Sequence, residues 1–340
     1  MRLLGLLFAL LLFSPVFGAP GATEIDEIFS SWDGNVPGGA VGVVSNDKLV
    51  FAKGYGMADL GKKTANSPAT VYDLASVSKQ FAALAALAQV QKGKLDLKQG
   101  LGTYLPGLPA YAAKTPVENL LNMTSGFPDY DYDQQATRKA LIDTLNAEEP
   151  SFKAGTKYEY LNMNYALLTY VVQKVASQSM GQVLEYSIFK PLKMTSTVFL
   201  SKLGQKIPDR AVGYAKDGDR WVKSVSDGPG VADGNVFSSV NDMALWARDL
   251  LRGSSVISAE LQKKAWTSGR AGKDPTGYGY GFEVDEHEGY TRISHSGSWY
   301  GTATYIALYP KLKLGVVVLS NREDEDCYGL GEQVEDLYLP

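Results

Sequence analysis

The stretch from Ser76 to Gly93, SVSKQFAALAALAQVQKG, decides how the rest of the chain is read. It is built of strong helix formers, with no Gly or Pro before its end and Gly93 where a C-terminal cap belongs. Its apolar residues cover more than one face, so the pattern predicts a long helix at the centre of a domain. Upstream, residues 40–55, AVGVVSNDKLVFAKGY, carry two β-branched-rich runs around the polar turn Ser45-Asn46-Asp47-Lys48, a hairpin signal. Downstream, TPVENLLNM, NYALLTYVVQKVASQ, GQVLEYSIFKPL and SVNDMALWARDLLRG read as helices separated by loops rich in Gly, Pro and Asp. After Gly277 the character reverts to strands, in YGYGFEVDE, YTRISHSG, TATYIALYP and KLGVVVLSN, followed by a short helical tail, EQVEDLYL. Strands at both ends with helices between them predict an α/β plus all-α fold: one antiparallel sheet flanked by helices, with an inserted helical domain. The sheet part is expected over about 19–75 and 275–340, and the helical part over about 76–274.

Bulk properties exclude several function classes. The 33 basic and 37 acidic residues nearly balance, with no basic stripe interleaved with aromatics, so nucleic acid is not an expected partner. His287 and His295 are the only histidines and Cys327 the only cysteine, which leaves no material for a transition-metal site or an internal disulfide. The opening MRLLGLLFALLLFSPVFG has one arginine before a short apolar run that ends in small residues. It reads as a signal peptide over residues 1–18, cut after Gly18, with the mature chain from Ala19 to Pro340. A periplasmic or secreted protein without a membrane anchor is expected, since no cysteine near the cut could carry a lipid.

Three groups of residues carry chemistry. Ser76 and Lys79 are three apart at the start of the central helix, so both side chains emerge on one face and an amine can reach a hydroxyl. A serine hydroxyl needs a base to become a useful nucleophile, and a desolvated lysine can be that base. The helix N-terminus favours the developing negative charge. Two other Ser-x-x-Lys matches exist, Ser45 with Lys48 in the hairpin turn and Ser187 with Lys190 just before Pro191, but neither opens a buried helix. The second group is Tyr160-Leu161-Asn162. Its phenol can shuttle a proton near an ammonium, and its amide can hold a substrate carbonyl, although a core aromatic and a helix-capping asparagine would look the same. The third is His295-Ser296-Gly297-Ser298 in an expected strand. Gly297 would let a substrate backbone come close, and the N–H of Ser298 could pair with that of Ser76 as an oxyanion hole. His287-Glu288-Gly289 repeats the His-x-Gly spacing among charged residues and reads as a solvated loop.

In this order and spacing, Ser76-Val77-Ser78-Lys79, Tyr160-Leu161-Asn162 and His295-Ser296-Gly297 resemble the serine β-lactamase and penicillin-binding-protein superfamily. The branch is similar to the class C β-lactamase-related group of carboxypeptidases, D-aminopeptidases and esterases. LLNMTSGFPDY, IFKPLKMTSTVF, RAVGY and GNVFSSVNDMALWARDLL extend the resemblance over nearly the whole mature chain. It implies an active site between a sheet domain and a helical domain. It further implies Ser76 as acylated nucleophile, Lys79 and Tyr160 as its base system, Asn162 as substrate ligand, and the Ser76 and Ser298 amides as oxyanion donors. No metal or organic cofactor is needed, and the partner is a small-molecule or peptide acyl substrate. Met123 stands where the family often has His, Ala154 where it often has Pro, Asn235 where it often has a second Gly, and His295 where efficient class C β-lactamases have Lys. A histidine titrating near its ordinary value of about 6.5 would make anionic substrates lose ground as pH rises. The expected reaction is acyl transfer from an ester, amide or D-amino-acid peptide. The alternatives are a β-lactamase or D,D-carboxypeptidase proper, and a penicillin-binding sensor or scaffold without turnover.

Overall fold

The computed structural model of the protein describes residues 21–131, 137–202, 204–225 and 234–340. The expected leader at 1–18 lies outside the described residues. Six strands form one antiparallel sheet: β1 (Gly39–Ser45), β2 (Lys48–Tyr55), β3 (Glu283–His287), β4 (Tyr290–Trp299), β5 (Thr302–Tyr309) and β6 (Leu314–Ser320). Their order is β3-β4-β5-β6-β1-β2, so the two ends of the chain meet at the β6–β1 pair, where Val41 faces Val318. The β1–β2 hairpin turns on Asn46 and Asp47, both at positive φ, the backbone that a tight two-residue hairpin demands.

Both faces of the sheet are covered, and the period-two alternation of side chains decides which residue goes where. Val41, Val43, Tyr305, Val316 and Val318 share one buried cluster with Ile25 of α1 (Ala22–Ile28) and Val334 of α5 (Cys327–Asp336). Ala40, Val44, Ile306, Val317 and Leu319 point the other way, into a larger cluster. That cluster includes most of α2 (Ser78–Gln91), the apolar side of α3 (Asn162–Ala176) and α4 (Val240–Arg252). Gly42 lets α4 pack directly on β1, because a Cβ there would meet Val240 Cγ1 at 2.5 Å. The stretch 76–274 is not purely helical: Val236–Ser239 is a strand that leads into α4, whose first turn is capped by the Ser239 hydroxyl. Among the described residues no helix is long and apolar enough to cross a membrane.

β4 is held from behind by a buried ionic cluster. The Arg292 side chain is only 3% exposed and donates to Asp285 at 2.7 and 3.0 Å, to Glu332 at 2.7 Å and to Glu335 at 3.3 Å, with Tyr328 also in reach at 2.7 Å. Glu332 and Glu335 belong to α5, so one guanidinium ties the C-terminal helix to the strand that continues into His295 and Gly297. Burial pushes the Glu335 carboxyl above its usual range, with Tyr309 and Arg292 opposing that shift. Removing the cation strands a buried carboxylate, a change that costs about 3 kcal/mol or more. Arg292→Met is therefore expected to lower stability by about 3 kcal/mol in urea unfolding followed by circular dichroism. A loss below about 1 kcal/mol would show the cluster to be incidental.

Candidate active site

Ser76 lies in a single 3₁₀ turn, Ala75–Val77, that runs straight into α2. The turn is held from several sides. The Leu74 N–H donates to the Val236 carbonyl, the Ala75 N–H donates to Asp73 Oδ1 at 2.9 Å, and the Val236 N–H donates to Ser78 Oγ at 3.0 Å. Ala75 sits at φ +45°, a left-handed conformation that costs a non-glycine residue about 1–2 kcal/mol and is kept only where the surroundings enforce it. Lys79, one turn later, has no exposed surface, and its Nζ donates to Ser76 Oγ at 3.0 Å. The two competing pairs are not built this way. Ser45 and Lys48 flank the hairpin turn, while Lys190 follows a π-helical turn and pairs with Glu185 at 3.2 Å.

Tyr160 lies just before α3 and is 36% exposed, with its ring centroid 5.0 Å from Lys79 Nζ. The loop that presents it is tied to the Met123–Gly126 segment, where the Glu159 N–H donates to the Met123 carbonyl and the Gly155 N–H to the Thr124 carbonyl. Met123 itself is at φ +57°, its sulfur accepts from Asn164 Nδ2, and Ser125 Oγ donates to Asn164 Oδ1 at 2.6 Å. Asn162 is not the helix cap: it is the first residue of α3, and the Asp129 carboxylate accepts from the N–H groups of Asn162 and Met163 at 3.3 and 2.8 Å. A carboxylate at a helix N-terminus meets both the free N–H groups and the positive end of the dipole, which leaves the Asn162 amide for other work. Among the described residues no protein group hydrogen-bonds its buried Oδ1.

β4 brings the third group over the Ser76 turn. A Cβ on Gly297 would lie 2.6 Å from the Leu74 carbonyl, 2.5 Å from Thr304 Oγ1 and 3.0 Å from the Ser76 nitrogen. The glycine is thus required by the protein's own backbone, because only a residue without a side chain lets the Leu74–Ser76 turn reach the strand. Ser298, the next residue, is exposed, at the end of the strand that Gly297 presses against Ser76.

His295 differs from expectation. It is 1% exposed, and Nδ1 lies 2.6 Å from the Ser296 carbonyl while Nε2 lies 2.9 Å from the Tyr278 hydroxyl. A carbonyl only accepts, so Nδ1 carries the proton, Nε2 of the neutral ring accepts, and the Tyr278 hydroxyl donates. Both nitrogens are spent inside the protein. Burial, and then the charge of Lys79, push the imidazole down to about 3, which removes the expected titration near neutrality. His287, in contrast, ends β3 and pairs with Asp336 at 2.8 Å, so it is an anchored surface residue rather than a loop histidine.

Four residues of this arrangement escaped the motif reading: Ala75, Asp129, Tyr165 and Tyr278. Tyr165 lies under the amine, its ring centroid 5.9 Å from Lys79 Nζ, and its hydroxyl donates to the Leu121 carbonyl. Tyr278 faces both Tyr160 and His295, with ring centroids 6.0 and 5.6 Å away. The alternation Gly277-Tyr278-Gly279-Tyr280-Gly281 was the available signal, since it demands a turn pressed against other backbone.

An antiparallel sheet covered on both faces, with a serine and a buried lysine at the start of the helix it packs on, defines the β-lactamase and penicillin-binding fold. The chain belongs to the Beta-lactamase family, which matches residues 23–335. Protein flp of Staphylococcus aureus (strain MW2) is 32% identical over 311 residues, a match that covers 86% of this chain and 61% of that protein's length. The octameric penicillin-binding protein homologue from Pyrococcus abyssi is similar at 26% identity with a TM-score of 0.82, over 93% of this chain and 76% of that one. The D-amino acid amidase from Ochrobactrum anthropi SV3 shares the fold at a TM-score of 0.79 and 20% identity, over 93% and 97% of the two chains.

The neutral imidazole has a measurable consequence. For a matched pair of esters, one neutral and one with a carboxylate beside the scissile bond, the ratio of kcat/KM values is expected to stay flat from about pH 5.5 to 8.5, because His295 changes charge only near 3. A ratio that falls through about pH 6.5 in the wild type and not in His295→Asn would contradict this assignment.

Proposed function

We propose that this protein is an exported hydrolase that forms an acyl-enzyme on Ser76 with ester, amide or D-amino-acid peptide substrates. The observation that carries the proposal is the 3.0 Å contact between Lys79 Nζ and Ser76 Oγ, with the lysine wholly buried. In the reactive form the same contact runs the other way: the hydroxyl donates, and its proton passes to the amine, directly or through Tyr160, as Oγ bonds to the acyl carbon. The N–H groups of Ser76 and Ser298 take the charge that builds on the carbonyl oxygen, and Asn162 holds an amide of the substrate. The proton then goes to the leaving group as its bond to the acyl carbon breaks. Water attacks the ester on Ser76, gives a proton to the same base system, and Oγ recovers its hydrogen.

The substrate class follows from what surrounds His295. With the imidazole neutral and both nitrogens committed, position 295 offers no cation to a substrate carboxylate, which favours neutral esters and amides over carboxyl-terminal dipeptides. The rings of Tyr158 and Tyr160, both partly exposed, line this side and suit an apolar or aromatic acyl group. The fold shared with a D-amino acid amidase supports including D-amino-acid amides.

The mature protein would be assayed with p-nitrophenyl esters, D-amino-acid amides, a D-Ala-D-Ala peptide and a chromogenic cephalosporin. Turnover of the neutral esters or amides is expected to exceed that of the carboxylated compounds. Lys79→Ala and Tyr160→Phe should each lower the acylation rate by about a hundredfold, the usual effect of losing a positioned acid–base group, with smaller changes in KM. A variant that acylates at the wild-type rate removes its residue from the base system, and efficient cephalosporin hydrolysis with inert esters would favour a β-lactamase instead.

A further inference from the structure

Tyr278 is buried, yet its backbone belongs to an irregular turn rather than to a strand. The Tyr278 carbonyl accepts from the Gly269 N–H at 2.7 Å. Gly279 next to it lies against the Ala265 carbonyl, and Gly281, at φ +78°, lies against the carbonyl of Lys79, where a Cβ would come within 2.7 Å. This turn therefore touches α2 at Lys79 and, through the Tyr278 hydroxyl, touches β4 at His295. β3 pairs with β4 as far as Glu283 opposite Ser294, so, among the described residues, 295–299 have a partner strand on one side, β5. The peptide planes of that half-paired stretch include those of Gly297 and Ser298, and the Ser296 carbonyl next to them is bonded by the His295 imidazole.

We propose that Tyr278 is a positioning residue for acyl transfer: its hydroxyl holds His295 as the Nδ1–H tautomer, whose proton fixes the Ser296 carbonyl and with it the strand edge that meets Ser76. The inference rests on the assignment of acyl transfer to Ser76. A relay of this kind needs a donor at Nε2, and burial keeps the Tyr278 phenol protonated by pushing it well above its ordinary value. The groups that face the imidazole are Tyr278, the Tyr160 ring at 6.1 Å and the charge of Lys79. Tyr158, Tyr165 and Glu283 act on Tyr278 in turn. A misaligned strand edge acts on the transition state more than on the bound substrate, because the carbonyl oxygen moves toward the donors as it becomes an oxyanion.

The chain has two histidines, so ¹⁵N-histidine labelling gives two imidazole spin systems, and His287→Asn identifies which belongs to His295. The wild type is expected to show His295 as a neutral Nδ1–H ring that does not titrate between about pH 5.5 and 8.5. Tyr278→Phe keeps the ring and removes only the donor. It is expected to shift the Nε2 resonance and mix the tautomers, and to lower kcat for a neutral ester roughly ten- to a hundredfold with KM little changed. A wild-type ring in the Nε2–H tautomer overturns the proposal, as does a Tyr278→Phe protein with an unmoved imidazole or an undiminished kcat. The wild-type spectrum decides even if the variant does not fold. Wild-type acylation by Lys79→Ala would instead refute the Ser76 chemistry while leaving the imidazole signals as they are, so the two failures are separable.

Discussion

Everything at this site depends on placing one amine, that of Lys79, in a fully buried position against one hydroxyl. An ammonium or amine taken out of water loses several kcal/mol of hydration, and that cost has to be offset by the fold. The cost arises because Lys79 lies at the start of α2, an almost wholly buried helix rich in alanine and leucine. The aromatic surroundings help to offset it: the rings of Tyr160 and Tyr165 lie 5.0 and 5.9 Å from Nζ, within the range in which a ring face stabilises a cation.

The Ser76 turn is fixed by strain and close approach. Ala75 is driven into a left-handed backbone by the Asp73 cap on one side and the Val236 strand on the other. The Leu74 carbonyl is met by Thr304 Oγ1 at 2.9 Å, and Gly297 removes the one side chain that would keep the strand away. The Ser76 turn and β4 thus meet across a single glycine. The ionic cluster around Arg292 and the Tyr278 turn both hold the strand that carries His295 and Gly297.

Much of this was legible in the sequence. The Ala-Leu composition after Ser76 announced a buried helix, and the alternating apolar runs at both chain ends announced one sheet closed by β1 and β6. Context set Ser76 and Lys79 apart from two identical spacings, and the structure places those other pairs at a hairpin turn and a π-helical turn. What the sequence concealed depends on contacts between distant residues. Nothing local reveals that Asp129 caps the helix that begins at Asn162, 33 positions later. The neutrality of His295 arises from total burial beside Lys79, which the residue type cannot report. Gly297 was expected for substrate access, and its first duty proves to be room for the protein's own Leu74–Ser76 turn. Helix TPVENLLNM was overread for a related reason: only Glu118–Leu121 is helical, because Met123 turns into the left-handed region to build the loop that supports Tyr160.

The central claim is that Ser76 alone among the serines is made nucleophilic by its surroundings. Its most direct test is covalent labelling with a fluorophosphonate probe, with the modified peptide located by mass spectrometry. The account predicts a single adduct, on Ser76, that disappears in Ser76→Ala. An adduct on Ser45 or Ser187, or labelling that persists without the Ser76 hydroxyl, would contradict it.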